Sequence, residues 1–244
     1  QNHTNSLPLE KVTINKSNHL NEKYSFHSFV VGPFNELAYS AAQAIIKKPA
    51  VYNPLFIYGS TGLGKTHLAQ AIGNEVKRMH PNRVVLYVSS EKFINQFIEH
   101  SKNNEVNDFI HFYQLIDVLI LDDIHLFVPA TKTQDVFFAI FNHLHQSGKQ
   151  IVMTSDCPPK ELKGLEERLL SRFKWGLTAD LQSPDFETRM AIIQKKMQGD
   201  GIDIPDNVVE YLAYSVDTNV RELEGVLISL IAQSSLNRKE IDLE

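Results

Sequence analysis

The sequence has little cysteine, no long apolar run and no excess of positive charge. Cys157 is the only cysteine among the 244 residues, which excludes an internal disulfide framework and favours a reducing compartment. No apolar run approaches the roughly 18 residues that a membrane-spanning helix needs, and the polar N-terminus lacks the apolar segment of a signal peptide. These absences predict a cytoplasmic protein without a membrane span.

The net charge of −5 and the isoelectric point near 6.1 are not those of a dedicated nucleic-acid-binding domain, which is usually basic. Contact with nucleic acid would therefore need a local patch or several subunits that act together.

The order of apolar patterns predicts an α/β domain. Residues 1–23 are polar, lack periodicity and are predicted to form a flexible lead-in. Short apolar runs then alternate with helical patterns, which is typical of a parallel sheet covered on both faces. The predicted strands are 55–58, 83–88, 117–122, 150–155 and 175–180. The predicted helices are 65–80, 91–100, 105–115, 133–147 and 161–171.

A second pattern begins near residue 184. Three helices without an intervening strand are predicted at 186–198, 206–216 and 219–235, with Asp185 and Asp206 as caps of the first two. The sequence therefore divides into a core, 24–183, and a small helical lid, 184–244.

The stretch "GSTGLGKT" lies between a predicted strand and a predicted helix. Gly59, Gly64, Lys65 and Thr66 match the phosphate-loop pattern, in which backbone amides and a helix N-terminus bind an anion. Lys65 would contact phosphates, and the Thr66 hydroxyl suits Mg²⁺. The alternative is an ordinary glycine-rich turn.

Two carboxylates, Asp122 and Asp123, end the apolar run "VLILDD". The carboxyl ends of parallel strands bind ligands, so Asp122 is predicted to hold Mg²⁺ and Asp123 to orient or deprotonate a water molecule. A solvated turn is the alternative, but together with the phosphate loop this pair predicts a P-loop NTPase.

Other polar residues allow two interpretations. The sequence "TSD" at 154–156 follows a strand, so it lies either beside the γ-phosphate or in a plain turn. Arg168 and Arg172 lie four residues apart on a helix, and they either form surface salt bridges or complete a neighbour's phosphate site. Arg221 opposes a helix dipole, which either a bound phosphate or Glu222 or Glu224 could compensate.

Many separate motifs resemble one family. They are "FVVG", "YNPLFIYGSTGLGKTHLAQAIGN", "VLILDDIHLF", "QIVMTSDCPPKEL", "LEERLLSRFKWGL", "DFETRMAIIQKK" and "NVRELEG". From about Tyr24 onward the chain resembles the AAA+ ATPase domain of the DnaA family of bacterial replication initiators. The resemblance implies an AAA+ fold, with a five-stranded parallel sheet, a three-helix lid and ATP/ADP with Mg²⁺ between them.

The resemblance also implies roles for individual residues. Lys65, Asp122, Asp123, Asp156 (sensor I), Arg172 (arginine finger) and Arg221 (sensor II) would be catalytic, and Thr66 with Asp122 would hold the metal. Arg168 would be a nearby oligomer contact. The implied nucleotide contacts are Val30, Val31, Gly32, Asn53, Pro54, Gly59, Ser60, Thr61, Gly62, Leu63, Gly64, Lys65, Thr66, His67 and Arg221.

Further implications concern assembly and DNA. The paired helices at about 91–115 resemble an initiator-specific insertion that makes subunits spiral, and Ile98 and Lys132 fall where relatives contact single-stranded DNA. Implied partners are further copies of the chain, single-stranded DNA, and the replicative helicase or its loader. Origin duplex DNA would be bound by a C-terminal domain absent from these residues, and a nucleoid location follows.

One departure from the wider AAA+ pattern concerns the paired aspartates. Asp122-Asp123 replaces the commoner Asp-Glu, and the shorter acid suits slow hydrolysis and a switch. The other hypotheses are a helicase loader or short regulatory homologue, and a nucleotide-locked scaffold without useful turnover.

Overall fold

Alternating apolar strands and amphipathic helices build a parallel sheet with a helical layer on each face. The computed structural model describes residues 18–237 and 241. Five strands lie in the order β2-β3-β4-β1-β5, and every pairing is parallel. The strands are Leu55–Tyr58 (β1), Val85–Ser89 (β2), Val118–Asp122 (β3), Gln150–Ser155 (β4) and Leu177–Asp180 (β5).

Nine α-helices occur in the described ranges. In chain order they are Glu36–Lys47 (α1), Lys65–Met79 (α2), Ser90–Lys102 (α3), Val106–Gln114 (α4), Thr131–Gln146 (α5), Glu167–Phe173 (α6), Phe186–Gly199 (α7), Asp206–Ser215 (α8) and Val220–Asn237 (α9). Two 3₁₀ turns lie at Ile124–Phe127 and Pro159–Glu161.

The sheet separates two apolar layers. Along β3 the side chains alternate, with Leu119 and Leu121 in the layer that α3 to α6 cover, and Val118 and Ile120 in the layer that α1 and α2 cover. All five β3 residues are buried. This burial on both faces explains why the strands read as continuous apolar runs, and it confirms the predicted parallel sheet.

The last three helices form the lid around an apolar cluster of their own. Leu223 and Leu227 on α9 are fully buried against Ile193 of α7 and Val209 of α8. Val30 of the core packs on this cluster, so the segment before α1 lies against the lid. The predicted three-helix lid is confirmed.

The helix caps differ from one another. The Asp185 side chain accepts a hydrogen bond from the Thr188 N–H at 2.9 Å and caps α7 as predicted. The prediction that Asp206 caps α8 is wrong, because Pro205 holds the N-cap position and Asp206 is the first residue of the helix. Its charge still lies in the first turn, where it favours the helix dipole.

The structure differs from the predicted helices at two places. The expected helix at 161–171 is divided, because the buried Gln134 side chain binds the turn within it. Gln134 donates to the Gly164 carbonyl at 3.3 Å and accepts from the Glu166 N–H at 2.8 Å. Helix α1 was not predicted, although its buried residues follow helical spacing.

The last six residues of the predicted lead-in, 18–23, belong to the folded core. Residues 18–23 are bound to the core: the Asn18 carbonyl accepts from the Tyr87 N–H at 3.0 Å, and the Asn21 N–H donates to Gln70 at 2.8 Å. The prediction of flexibility is therefore wrong for 18–23, and residues 1–17 lie outside the described residues. No helix within the described ranges has both the length and the apolar character to cross a bilayer.

Candidate nucleotide site

The loop between β1 and α2 is shaped by its glycines. Gly62 and Gly64 have φ values of +84° and +100°, a region that residues with a side chain rarely adopt. A Cβ atom on Gly62 would also lie 2.6 Å from the Asn219 side-chain oxygen of the lid. The loop therefore requires glycine both for its backbone turn and for close contact with the lid.

Lys65 begins α2 and is almost completely buried, with 6% of its surface exposed. Its Nζ donates to the carbonyl oxygens of Gly59 at 2.6 Å and Ser60 at 3.0 Å, and it forms an ion pair with Asp156 at 3.0 Å. A buried ammonium group needs such partners. These contacts hold the charge at the mouth of the phosphate loop.

Asp122 accepts hydrogen bonds from three hydroxyl groups. Thr66 donates at 2.8 Å, Tyr87 donates at 2.6 Å, and Thr154 donates to the other carboxylate oxygen. Burial and the Asp122 charge raise the pKa of the Tyr87 phenol, so that group stays protonated and donates. Tyr87 is not among the site residues predicted from the sequence, although its place near the end of a strand was a usable signal.

Asp123 lies beside Asp122 in a different environment. Its backbone is left-handed, with φ +60°, and its N–H donates to the Thr154 hydroxyl at 2.9 Å. Burial, followed by repulsion from Asp122, raises the pKa of the half-buried Asp123 carboxyl. A raised pKa makes this group a stronger proton acceptor than an ordinary aspartate.

Asp156 and His125 complete the polar cluster. The Asp156 N–H donates to His125 Nδ1 at 3.3 Å, and His125 Nε2 lies 3.3 Å from Asp156 Oδ2. Ligand-type atoms of Asp123, His125 and Asp156 lie within 4.8 Å of one another. His125 is not among the site residues predicted from the sequence, because no residue pattern identifies it.

The lid supplies the opposite wall. The Arg221 N–H donates to the Gly62 carbonyl at 3.1 Å, which places the start of α9 directly on the phosphate loop. The described residues offer the Arg221 guanidinium no ion-pair partner, so the proposed pairing with Glu222 or Glu224 does not occur. One cavity is lined by Tyr24, Thr61, Gly62, Gly64, Lys65, Thr66, His67, Asp123, His125, Asp156, Val220, Arg221 and Glu224.

The segment Val30, Val31 and Gly32 lies near this cavity. Val30 lines a smaller adjoining cavity together with Leu63 and His67. Asn35 fixes the segment, because its side chain accepts from the Gly32 N–H at 3.0 Å and donates to the Val30 carbonyl at 2.9 Å. Val31 is 42% exposed and does not line either cavity.

The structure contradicts the placement of Asn53 and Pro54 beside the base. Both precede β1 and lie at the amino edge of the sheet, whereas the phosphate loop follows the carboxyl end of β1. The Asn53 side chain donates to the Lys149 carbonyl at 2.6 Å and accepts from the Ile151 N–H at 2.9 Å. Pro54 accepts from the Leu177 N–H at 3.0 Å. These residues join strands and cannot reach the nucleotide cavity.

Arg168 and Arg172 lie on α6, away from the residues that line the cavity of their own chain. Arg168 forms ion pairs with Glu166 and Asp135, as the first of its two interpretations, a surface salt bridge, predicts. Arg172 donates to the Asn142 side chain at 3.0 Å, and its guanidinium lies 4.1 Å from the centre of the Trp175 ring. Both arginines are therefore held at the surface by contacts within the chain.

The DNA-contact candidates are also at the surface. Ile98 on α3 is 44% exposed, and Lys132 lies exposed in the first turn of α5. Helices α3 and α4 pack on each other through Phe93, Phe109 and Tyr113, and Phe93 also contacts Phe127 and Phe137 of the core.

Sheet order, phosphate loop, paired aspartates and helical lid together define a P-loop module of the AAA+ class. Comparison with known proteins narrows this class. Residues 20–180 match the family described as the bacterial DnaA ATPase domain. This match covers well over half of the chain, which therefore belongs to the DnaA ATPase domain family.

Individual relatives agree with this family. The chromosomal replication initiator protein DnaA of Flavobacterium psychrophilum is 56% identical over 227 residues, which are 92% of this chain and 48% of the relative. The chain thus spans about half the length of that relative. The crystal structure of domain III of Thermotoga maritima DnaA is 44% identical, with a TM-score of 0.89, and the match covers 92% of this chain and 94% of that one.

A third comparison concerns a structure with ligands. A replication initiator DnaA bound to AMPPCP and single-stranded DNA is 39% identical, with a TM-score of 0.81, over 90% of this chain and 69% of that one.

Proposed function

We propose that this chain is the ATP-binding and slowly hydrolysing module of a chromosomal replication initiator. ATP would drive head-to-tail helical assembly, and the assembly would engage single-stranded DNA during origin opening. The observation that carries the proposal is that Lys65 from the core and Arg221 from the lid line one cavity with Asp123 and Asp156. A polyanion between these cations would join core to lid.

The residues fit the two groups that this function requires, a nucleotide and Mg²⁺. Positive-φ glycines and a buried ammonium group form an anion site at a helix N-terminus, and Val30 borders the adjoining space for a base. The Thr66 hydroxyl and the Asp122 carboxylate are oxygen ligands 2.8 Å apart, which suits Mg²⁺. When bound, Mg²⁺ supplies positive charge that neutralises phosphate oxygens.

The chain's own side chains divide the chemical work. Lys65 binds phosphate oxygens, and Arg221 binds them from the lid. Asp123 accepts a proton from the attacking water, which its raised pKa favours. The aspartate side chain is one carbon shorter than glutamate and reaches this water less readily, which suits slow turnover.

Single-turnover hydrolysis tests the role of Asp123. Asp123→Asn should retain nucleotide binding and lower the hydrolysis rate roughly a hundredfold, as expected for loss of a general base. Asp108→Asn on α4 is the matched control, since this exposed residue does not line the cavity. Equal rates in all three proteins would favour the nucleotide-locked scaffold.

Assembly would depend on Arg172. A head-to-tail contact that does not close forms an open helix, and Arg172 would leave its place over Trp175 to reach the neighbour's nucleotide. Arg168 would contact the neighbour nearby. Arg172→Ala should retain ATP binding but lose ATP-dependent oligomers in sedimentation experiments with ATP, ADP and a non-hydrolysable analogue.

Two controls sharpen this test. Arg78→Ala removes an exposed arginine that pairs with Glu75 on α2 and should assemble normally. Trp175 is the only tryptophan, so its emission reports whether the Arg172 guanidinium leaves the ring on assembly. Intact assembly of Arg172→Ala would refute the finger assignment.

Single-stranded DNA would lie along Ile98 and Lys132 of successive subunits. Repetition of Lys132 along a helical channel compensates for the acidic charge of one chain. Lys132→Ala should weaken ATP-dependent binding of single-stranded DNA, whereas Lys47→Ala on α1 should not. Equal binding by both variants would contradict this assignment.

The proposal extends to the whole initiator. The whole initiator would bind origin duplex DNA through a C-terminal domain outside these residues. It would also contact the replicative helicase or its loader, and it would act at the nucleoid in the cytoplasm. The family match favours an initiator over the helicase-loader alternative, and the length of the natural gene product tests the alternative of a short regulatory homologue.

A further inference from the structure

His125 contacts both the backbone and the side chain of Asp156. The Asp156 N–H donates to Nδ1, so this nitrogen acts as an acceptor, and the neutral ring carries its proton on Nε2. Nε2 itself lies 3.3 Å from Asp156 Oδ2, within ion-pair distance. One ring is therefore in contact with both the backbone N–H and the carboxylate of Asp156, although the Asp156 side chain is 42% exposed.

The other carboxylate oxygen of Asp156 contacts the Lys65 ammonium group, which is proposed to bind phosphate. Asp156 Oδ1 lies 3.0 Å from Lys65 Nζ, and the remaining Lys65 donors bind the Gly59 and Ser60 carbonyls. Since an ammonium group has three donors, each has a partner within the chain. The two carbonyls belong to the loop backbone, so Asp156 is the partner that a phosphate oxygen can replace.

We propose that His125 is a positioning residue that holds Asp156 on Lys65, so that nucleotide phosphates must displace a carboxylate fixed by this ring. The proposal rests on the proposed nucleotide binding at this cavity. Without His125 the exposed carboxylate turns toward solvent and competes less for Lys65. Nucleotide affinity then rises, for ADP as well as ATP, since Lys65 contacts both.

Equilibrium titration with a fluorescent ADP and a fluorescent non-hydrolysable ATP analogue tests the proposal without turnover. His125→Leu should tighten both by roughly threefold to tenfold, which is the range of one polar contact. His125→Gln can still donate to Asp156 Oδ2 and should restore the wild-type affinity. His143→Leu on α5 is the control, since His143 does not line the cavity, and should not change either affinity.

A double-mutant cycle shows whether His125 acts through Asp156. Asp156→Ala alone should tighten binding, and His125→Leu should add nothing in that background. Unchanged or weaker nucleotide binding by a folded His125→Leu protein would overturn the proposal. The proposal would also be overturned if His125→Leu tightened binding in the Asp156→Ala background as much as it does in the wild type. Failure of the wild-type chain to bind either nucleotide would instead refute the proposed function.

The nucleotide-free chain provides a second readout. Imidazole ¹⁵N shifts, assigned to His125 by comparison with His125→Gln, should show the neutral ring protonated on Nε2. Asp156→Ala should change these shifts, because the ring loses its carboxylate partner. Identical shifts in wild type and Asp156→Ala would overturn the proposed contact whether or not nucleotide binds.

Discussion

The two edges of the same sheet bind their polar side chains in different ways. At the amino edge, the side-chain amides of Asn53 and Gln150 bond to backbone groups. Gln150 donates to the Tyr52 carbonyl and accepts from the Ala50 N–H, both at 2.8 Å. At the carboxyl edge, Asp122 and Asp156 bond chiefly to other side chains.

This difference in hydrogen-bond partners separates groups that stabilise the fold from groups that can bind a ligand. A backbone partner cannot leave without disrupting a strand, so the amino edge joins elements permanently. Side-chain partners can rotate away, so the groups at the carboxyl edge can exchange them for a ligand. Among the buried groups charge follows the same division, because the two amides are neutral whereas Lys65 and Asp122 are ionisable. The partly exposed Asp117 and Lys149 nevertheless form an ion pair at the amino edge.

The largest expected effect tests the carboxyl edge. Lys65→Ala should weaken nucleotide binding roughly a hundredfold or more, because a buried cation that contacts a phosphate contributes several kcal/mol. Isothermal titration with ADP and ATP measures the loss. Lys77→Ala, on the same helix but remote from the cavity, should bind as wild type does, and a similar loss in both variants would contradict the site.

The amino edge should respond in the opposite way. Asn53→Ala leaves the Lys149 carbonyl and the Ile151 N–H without their partner, and two such buried groups cost about 2 to 4 kcal/mol in the free energy of unfolding. Urea denaturation measures this loss, and nucleotide affinity of the folded variant should be unchanged. A change in nucleotide affinity with little change in the free energy of unfolding would place Asn53 in the nucleotide site. It would also contradict the contrast between the two sheet edges.

The same contrast explains what could be predicted from the sequence. The strands, the phosphate loop and the aspartate pair were accessible because apolar runs and the glycine-lysine pattern are local. Asn53 adjoins the phosphate-loop strand in sequence, but four strand residues separate it from the loop and place it at the other edge. His125 reaches the cluster through a 3₁₀ turn, which no local pattern specifies. Tyr87 lies near the end of a predicted strand, but its contact with Asp122 depends on the pairing of β2 with β3. The divided helix at 161–171 depends on Gln134, some 30 residues earlier.

The smallest effect concerns Asp185, a carboxylate that bonds to backbone and should therefore serve stability alone. Hydrogen bonds from Thr188 lower the pKa of Asp185 in the folded protein. A lowered pKa stabilises the folded state above the ordinary aspartate pKa, and this contribution is lost as the pH falls through the folded value.

Asp185→Ala should accordingly lower the free energy of unfolding near pH 7, and the difference from wild type should shrink below about pH 4, where aspartate becomes protonated. Asp206→Ala is the matched control, since Asp206 begins the next helix without a side-chain capping bond, and it should cost less at pH 7. Urea denaturation of the three proteins across this pH range measures both differences. Because Asp185 lies in the lid but does not line the cavity, nucleotide affinity at pH 7 should stay the same. A loss of affinity in Asp185→Ala without a loss of stability would show that backbone-bonded carboxylates are not confined to a structural role in this fold.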